Sequence, residues 1–290
     1  SQADAESVIE QFITDGYDVI FAASPVFLDA CIRQCAAHPN AKILNCSVLA
    51  SYHNVRSYYL RIYEAKFILG AIAAALAEGD NVGYIADYPI YGTPASINAF
   101  ALGAQLVNPR AKIVLEWSTI PGHNPEAALA ERGVHIISSR DISAPHLESR
   151  AFGLYHEQDG VISNLAMPVW NWGKLYQGIV RSILTGAWGD EGEHNADRAM
   201  AYYMGMSTDA IDLICSQRLP ARTQRLVDLL HERIRSGAFL PFVGPIADQN
   251  GVIRVEANVA LTPQEIISID YLASNVMGRI PSLSELNDVA

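Results

Sequence analysis

Helical and strand-like segments alternate through the first half of this chain, and this alternation constrains the fold more than any other feature. Apolar residues recur at helical spacing in five segments, 3–14, 26–37, 61–78, 93–106 and 124–132. Short runs typical of strands lie between and after them, at 17–23, 42–46, 81–86, 111–117 and 134–138. A strand and a helix recur about every 25–30 residues, which is the spacing of βαβ units. The pattern predicts an α/β fold built on mainly parallel sheets flanked by helices.

The second half is less regular but continues in the same class. Strands are predicted at 153–155, 165–170 and 201–206, and helices at 173–185 and 222–236. The Asn250-Gly251 pair predicts a hairpin over 242–255. A last helix is predicted over 262–277, with Thr262 as its N-cap, Pro263 at its first position and Glu265 completing a capping box.

The composition limits the classes of partner. Half of the 290 residues are hydrophobic, which supports a folded core. The net charge of −11 argues against nucleic acid or an anionic membrane as a partner. The apolar run 67–77 is too short to span a bilayer, so no direct membrane insertion is expected.

The four cysteines, Cys31, Cys35, Cys46 and Cys215, form neither a CxxC pair nor a zinc pattern with histidine. Cys31 and Cys35 lie one helical turn apart and could supply half of a metal site, but such cysteines more often act as small buried hydrophobes. We therefore expect no metal and no cofactor. Thiols without a disulfide pattern lean towards a reducing compartment.

Standard catalytic motifs are absent from the sequence. It contains no GxGxxG, Walker A, HExxH or GxSxG pattern. A triad assembled from distant residues stays open, but we expect a binding protein rather than an enzyme.

The loop after the strand at 81–86 gives the clearest positional signal for a ligand site. It contains Tyr88 and Tyr91 and leads into Thr93-Pro94, predicted as the N-cap and first position of the next helix. Open α/β sheets bind ligands at the carboxyl edge of their strands. Helix N–H groups at that edge favour an oxygen of a carboxylate, phosphate or hydroxyl. The alternative is a well-capped loop without a ligand.

Three further strand-end loops are expected to meet the same crevice between two lobes. They supply Ser24 and Phe27, then Asp141, then Trp170, Asn171 and Trp172. On an extended chain the two tryptophans share one side and Asn171 takes the other. An acidic, aromatic cleft suits a neutral, planar molecule with hydroxyl groups, such as a nucleoside. The alternatives are indoles that only close a core and an aspartate that only caps a loop.

Several stretches resemble the basic membrane protein (BMP) family. They are Tyr63-Glu64-Ala65-Lys66-Phe67, Gly83-Tyr84-Ile85-Ala86, residues 97–104, Val107-Asn108-Pro109 and Val169-Trp170-Asn171-Trp172-Gly173. The family consists of ABC transporter substrate-binding proteins with the two-lobed type I periplasmic-binding fold, and its better-known relatives are lipoproteins that bind purine nucleosides. The resemblance implies a protein that closes on a nucleoside outside the cytoplasm, at the plasma membrane, with an ABC permease as its partner.

The resemblance also assigns ligand roles to residues of this sequence. Asp141 matches the family's acidic residue and is expected to bind hydroxyl groups. Trp172 is expected to stack on the ligand or shape the pocket. Trp170 and Asn171 match the end of the interlobe strand, and Met206 is expected to line the wall.

The resemblance implies two discontinuous lobes, 1–118 with about 242–256 and 119–241 with 257–290, joined by several hinge crossings. The family begins with a strand and a ligand-contacting loop, whereas this chain begins with a helix, so an N-terminal strand–helix–strand unit is expected to be absent. The sequence is also similar to a branch in which this domain is the C-terminal part of a longer protein without an obvious export signal. A cytoplasmic ligand-sensing domain is therefore the alternative function, and a nucleoside-processing enzyme is the third.

Overall fold

The computed structural model describes residues 2–46, 55–141, 150–186, 188 and 201–287. Contacts group the chain into two compact units: unit 1 comprises 1–60 and 171–204, and unit 2 comprises 61–170 and 205–290. The predicted lobes, divided near residues 118 and 241, do not coincide with this grouping, and the assignment of lobes stays a prediction.

Strands and helices are numbered in chain order. The strands are β1 (Val19–Ala22), β2 (Lys42–Cys46), β3 (Val55–Leu60), β4 (Asn81–Ala86), β5 (Lys112–Trp117), β6 (Ile136–Ser138), β7 (Leu154–Gln158), β8 (Val161–Trp170), β9 (Ala201–Met204), β10 (Ile211–Cys215), β11 (Ile246–Ala247), β12 (Ile253–Val255) and β13 (Val276–Met277). The helices are α1 (Gln2–Thr14), α2 (Leu28–Ala37), α3 (Ile62–Leu76), α4 (Thr93–Val107), α5 (Pro125–Glu131), α6 (Trp172–Leu184), α7 (Ala221–Arg235) and α8 (Pro263–Ile267). Apart from α8, these helices match the predicted ones to within a turn.

Unit 1 is built on a parallel sheet in the order β1-β2-β3-β9. Alternate residues of β1 point to opposite faces of this sheet. Ile20 and Ala22 pack in a core that also holds Ile9 of α1 and Cys31 of α2, while Phe21 contacts Tyr176 of α6. Helices therefore cover both faces of the sheet, as expected for parallel strands.

Unit 2 contains a seven-stranded sheet in the order β10-β8-β7-β6-β4-β5-β13. The pairs that join β6, β4, β5 and β13 are parallel, and those that join β10, β8, β7 and β6 are antiparallel. The antiparallel part includes a hairpin of β7 and β8 that turns at Asp159 and Gly160, both with positive φ. The predicted α/β class is confirmed, although β3, β10 and β13 have no counterpart among the predicted strands. The predicted hairpin around Asn250-Gly251 is present as β11 and β12.

The predicted helix over 262–277 is wrong beyond its first turn. The capping box at Thr262 forms, but α8 ends after five residues. Asn98 of α4 then holds the backbone, because its side chain donates to the carbonyl oxygen of Tyr271 and accepts from the N–H of Ala273. These side-chain bonds replace helical backbone bonds, and β13 follows as a parallel neighbour of β5.

The cysteines behave as small buried side chains. Cys31, Cys35 and Cys46 are buried, and all four cysteines carry thiols rather than a disulfide. Burial raises the pKa of Cys31 to about 11, which keeps that thiol protonated. Over the described residues, no three or more His, Cys, Asp or Glu side chains are grouped to hold a metal ion. In the same part of the chain, no helix has the length and apolar character needed to cross a membrane.

Helices α3 and α4 of unit 2 approach each other at backbone distance. Gly70 of α3 lies against the carbonyl group of Phe100, and Gly103 of α4 lies against the carbonyl group of Phe67. A Cβ atom at either glycine would overlap the carbonyl oxygen of the other helix. Only glycine permits this reciprocal contact.

We expect Gly103→Ala to lower the free energy of unfolding by about 1–3 kcal/mol, because the added methyl group forces two packed helices apart. Gly173→Ala is the matched control. It makes the same change in α6, where nothing lies within 4 Å of the new methyl group, and helix propensity should raise stability by up to about 1 kcal/mol. Urea unfolding measures both variants. Wild-type stability of Gly103→Ala would contradict the close helix contact.

Candidate functional site

The parallel strands of unit 2 end at one edge of the sheet, and polar residues follow each of them. β4 is followed by Asp87, β5 by Ser118 and Thr119, and β6 by the loop that contains Asp141. The carboxylate of Asp87 accepts a hydrogen bond from the Ser118 hydroxyl, and its carbonyl oxygen accepts one from the Thr119 hydroxyl. This edge is where open α/β sheets bind ligands.

Asp141 forms a buried ion pair with Lys66 at this edge. Lys66 lies on α3 with 3% of its side chain exposed, and the Asp141 side chain is 14% exposed. The ammonium group donates to Asp141 Oδ1, lies 3.4 Å from the Ser138 hydroxyl and lies 5.2 Å from the centre of the Tyr84 ring. Residues of α3, β4 and β6 therefore meet at this ammonium group.

Burial and charge act in opposite directions on this pair. Burial is the largest single influence and lowers the pKa of Lys66, but Asp141 and Tyr84 together hold that pKa above its ordinary value. Burial raises the pKa of Asp141, Lys66 opposes the rise, and the negative charge of Asp87 adds to it. Burial also raises the pKa of Tyr84 to about 12, so its phenol stays neutral. Lys66 is therefore the group that favours a charged Asp141.

The loop with Tyr88 and Tyr91 enters α4 in a different way from the prediction. Gly92 is the N-cap, in the left-handed conformation with φ of 85°, and Thr93 is the first helical residue. The predicted N-cap at Thr93 is therefore wrong. Both tyrosines are half-buried, and the Tyr91 hydroxyl lies 3.2 Å from Ser268 Oγ, so this hydroxyl is held next to the end of α8.

Met206 belongs to a buried polar network at the start of α3. It is 1% exposed, and its backbone N–H donates to Glu64 Oε2 at 2.7 Å. Arg61 lies 3.3 Å from Glu64 Oε1 and donates to the Ser207 hydroxyl at 2.9 Å. Gly205 has no room for a Cβ, which would overlap the Glu64 carboxylate. The network fastens the segment after β9 to α3, and a ligand contact of Met206 stays a prediction.

Unit 1 carries an aromatic cluster in which Trp172 is the exposed member. Trp172 stacks on Tyr176, four residues further along α6, with ring centres 6.0 Å apart. Tyr58 of β3 meets both rings edge-on, and Phe21 of β1 meets Tyr176 at 4.7 Å. Tyr58 is buried, whereas Trp172 is 36% exposed. Tyr58 and Tyr176 therefore pack against the Trp172 indole, which remains partly exposed.

Ser24 and Phe27 lie in the turn that follows β1 of unit 1. The carbonyl oxygen of Ser24 accepts a hydrogen bond at 2.9 Å from the buried side chain of Asn45. Phe27 packs against the core of α1, α2 and the sheet. These contacts fix the turn at the carboxyl end of β1.

The arrangement predicted for residues 170–172 is wrong in one respect. Trp170 ends β8 in unit 2 and pairs with Ile211 of β10. Trp172 begins α6 in unit 1, with Asn171 as its N-cap. Since the chain changes from strand to helix at Asn171, the two indoles do not share one side of an extended segment.

Several contributors to these surfaces were not among the predicted site residues, among them Lys66, Tyr58 and Tyr176. Lys66 is a charged residue inside an apolar helix, which is a signal that a buried partner exists. The spacing of Trp172 and Tyr176 by four residues predicts contact on a helix. Tyr58 lies on a strand that the periodicity does not predict.

Residues 1–130 match the family model Bmp, described as ABC transporter substrate-binding protein PnrA-like. The predicted resemblance to the basic membrane protein family is thereby confirmed. Over 96% of its length the chain is 26% identical to a purine-binding protein of Brucella abortus (strain 2308), and it covers 81% of that protein. Over 71% of its length it is 27% identical to a putative ABC transporter glucose-binding protein of Haloferax volcanii, and it covers 54% of that protein. The chain is thus related to ABC transporter substrate-binding proteins.

Solved structures share the fold of this chain. A transcriptional activator of the comK gene from Bacillus halodurans superposes with a TM-score of 0.64 at 16% identity, over 82% of this chain and 86% of that one. An ABC transporter solute-binding protein from Conexibacter woesei gives 0.58 at 18% identity, over 82% and 84%. At these identities the likeness shows the fold alone, and it confirms the predicted periplasmic-binding class.

We expect Lys66→Met to destabilise the protein by about 3–5 kcal/mol, because it leaves the charge of Asp141 buried without its partner. Adding Asp141→Asn to Lys66→Met removes both charges and should restore most of the lost stability. Asp228→Asn, the same carboxyl-to-amide change on an exposed face of α7, is the control. Urea unfolding at neutral pH measures the four proteins. Full stability of Lys66→Met alone would contradict a buried ion pair between Lys66 and Asp141.

Proposed function

We propose that the protein is the solute-binding component of an ABC uptake system and that its ligand is a purine nucleoside. The family match and the 26% identity to a purine-binding protein support this ligand class. In this proposal the protein binds without catalysis or cofactor, closes on its ligand by hinge motion, and delivers it to an ABC permease from outside the cytoplasm.

The observation that carries the proposal is the Lys66–Asp141 pair at the carboxyl edge of unit 2. A carboxylate only accepts hydrogen bonds, so it favours a ligand that offers donors. The two neighbouring hydroxyl groups of a ribose meet this requirement. Lys66 holds Oδ1 of Asp141, the Asp141 side chain is 14% exposed, and in this proposal the ligand hydroxyl groups donate to its carboxylate.

Trp172 offers an aromatic face, on which we propose that the planar base of a nucleoside stacks. Stacking of a base on an aromatic side chain contributes about 1–3 kcal/mol, as measured by alanine substitution. Tyr176 supports the Trp172 ring from one side, so the indole is held in place before a ligand arrives. Glucose, which the name of one relative gives as its ligand, has no planar base. A comparison of adenosine binding with glucose binding therefore tests the stacking contact of Trp172.

The first experiment is thermal unfolding of the wild type with adenosine, inosine, adenine and glucose. A ligand at 100 times its dissociation constant adds about 2.7 kcal/mol to the stability of the folded state. We expect the shift with a nucleoside, and we expect the nucleoside to be recovered unchanged. Absence of a shift with every nucleoside would overturn the proposed ligand class.

We expect Asp141→Asn to weaken adenosine binding about 10- to 100-fold, since hydrogen bonds to charged groups contribute about 1.5–3 kcal/mol. Isothermal titration calorimetry at neutral pH measures the affinity, with Asp228→Asn as the matched control that should bind like the wild type. Wild-type affinity of Asp141→Asn would remove Asp141 from the site.

We expect Trp172→Ala to weaken adenosine binding by about 1–3 kcal/mol and Trp172→Phe to weaken it less, because an aromatic face remains. Leu184→Ala is the control at the other end of α6, where Leu184 is 81% exposed. Calorimetric titration with adenosine compares the three variants. Full affinity of Trp172→Ala would argue against base stacking at this position.

A cytoplasmic ligand-sensing domain is the second candidate function, and the cysteine thiols favour it. All four cysteines lack a disulfide, as is usual for proteins of a reducing compartment. Fractionation of the source cells, followed by detection of this chain with an antibody, separates the two functions. Recovery outside the cytoplasm supports transport, whereas recovery in the cytosol supports sensing.

A further inference from the structure

We propose that Lys66 is a positioning residue for ligand binding: its buried ammonium group holds Oδ1 of Asp141 and so orients the carboxylate at the strand edge. This inference rests on the proposed function, because it assumes that Asp141 contacts the ligand. It assigns a specific role to a residue on a helix, outside the strand-end loops that were predicted to form the site.

The contacts of Lys66 leave its ammonium group little freedom. Its three donors face three neighbours: Asp141 Oδ1, the Ser138 hydroxyl at 3.4 Å and the face of the Tyr84 ring at 5.2 Å. These neighbours come from the loop after β6, from β6 and from β4. A cation with neighbours on three sides fixes the carboxylate oxygen bonded to it, and in this proposal the ligand contacts the other oxygen, Oδ2.

The charges around Asp141 show why a cation is needed there. The titratable groups that face it in the described residues are Lys66 from α3, Tyr84 from β4 and Asp87 from the loop after β4. Burial and the negative charge of Asp87 both disfavour an ionised Asp141, and Lys66 opposes them. A buried ion pair seldom adds stability compared with apolar residues of the same volume. In this proposal the Lys66–Asp141 pair serves to recognise a hydrogen-bond donor of the ligand rather than to stabilise the fold.

The ionised state matters because it sets what the carboxyl group can recognise. An ionised Asp141 accepts from a ligand hydroxyl, whereas a protonated one loses acceptor capacity and gains a donor. Binding of adenosine should therefore fall as the pH falls through the pKa of Asp141. Without Lys66, burial and Asp87 act unopposed, the pKa of Asp141 rises, and binding is lost from a higher pH downwards.

The test is the dissociation constant of adenosine, measured by calorimetry from about pH 5 to about pH 8. The proteins compared are the wild type, Lys66→Met, Lys66→Arg and Asp141→Asn. We expect Lys66→Met to bind at least about tenfold more weakly than the wild type at the acidic end and to regain affinity as the pH rises, since each unit of pKa corresponds to a factor of ten. Lys66→Arg keeps the positive charge and should retain the wild-type pH profile. Asp141→Asn should bind weakly at every pH.

The outcomes separate the two proposals. Wild-type affinity of Asp141→Asn overturns the ligand role of Asp141 and with it this inference. Weak binding by Asp141→Asn together with a wild-type pH profile for Lys66→Met overturns the role of Lys66 alone. If Lys66→Met does not fold at neutral pH, the test rests on Lys66→Arg. A wild-type pH dependence of adenosine binding by Lys66→Arg supports the inference, and a pH dependence shifted towards higher pH overturns it.

Discussion

The backbone contact between α3 and α4 fixes the position of two buried charges in unit 2. Gly70 and Gly103 let each helix touch a carbonyl group of the other, so α3 cannot slide along its axis without a clash. Lys66 lies four residues before Gly70, about one helical turn away. The height of its ammonium group above the sheet is therefore set by a rigid contact. Glu64 lies on the same helix, in its first turn, and is fixed by the same packing.

Two carboxylates next to α3 have different surroundings. Glu64 lies on α3 itself, and Asp141 pairs with Lys66 of α3. Both carboxylate oxygens of Glu64 are engaged within the fold, one by Arg61 and one by the backbone N–H of Met206. Its side chain is 6% exposed, so this carboxylate serves to hold the segment after β9. Asp141 is more exposed and lies at the edge where strands end. The proposed function therefore assigns Asp141 to the ligand, whereas the contacts of Glu64 lie within the fold.

Periodicity predicts most of the helices and the strands of βαβ units, because helices bury apolar residues at helical spacing and the central strands β2, β4 and β5 bury most of their residues. It fails at β3, where a charged residue interrupts the apolar pattern. The guanidinium of Arg56 is buried there because it donates to the Tyr202 hydroxyl and the carbonyl oxygen of Trp188. It fails again after α8, where the side chain of Asn98 takes over the backbone bonds. In both places a distant residue overrides the local pattern.

The residues of the candidate site also differ in whether the local sequence predicts their positions. The positions of Asp141 and Tyr91 follow from the rule that parallel strands end at one edge, which needs only local sequence. The role of Lys66 does not follow from local sequence, because its carboxylate partner lies 75 residues further along the chain. Likewise, the four-residue spacing predicts that Trp172 contacts Tyr176, but the contact of Trp172 with Tyr58 needs the fold.

Overall sequence identity does not separate the two ligand classes named among the relatives, since it is 26% for the purine-binding protein and 27% for the glucose-binding one. Discrimination between ligands is a difference of affinities, and that difference arises at individual side chains. A carboxylate that accepts from hydroxyl groups serves a ribose and a hexose alike. An accessible indole favours the ligand that also carries a planar base. The proposed nucleoside specificity therefore rests on the separate contributions proposed for Trp172 and Asp141, which overall sequence similarity does not report.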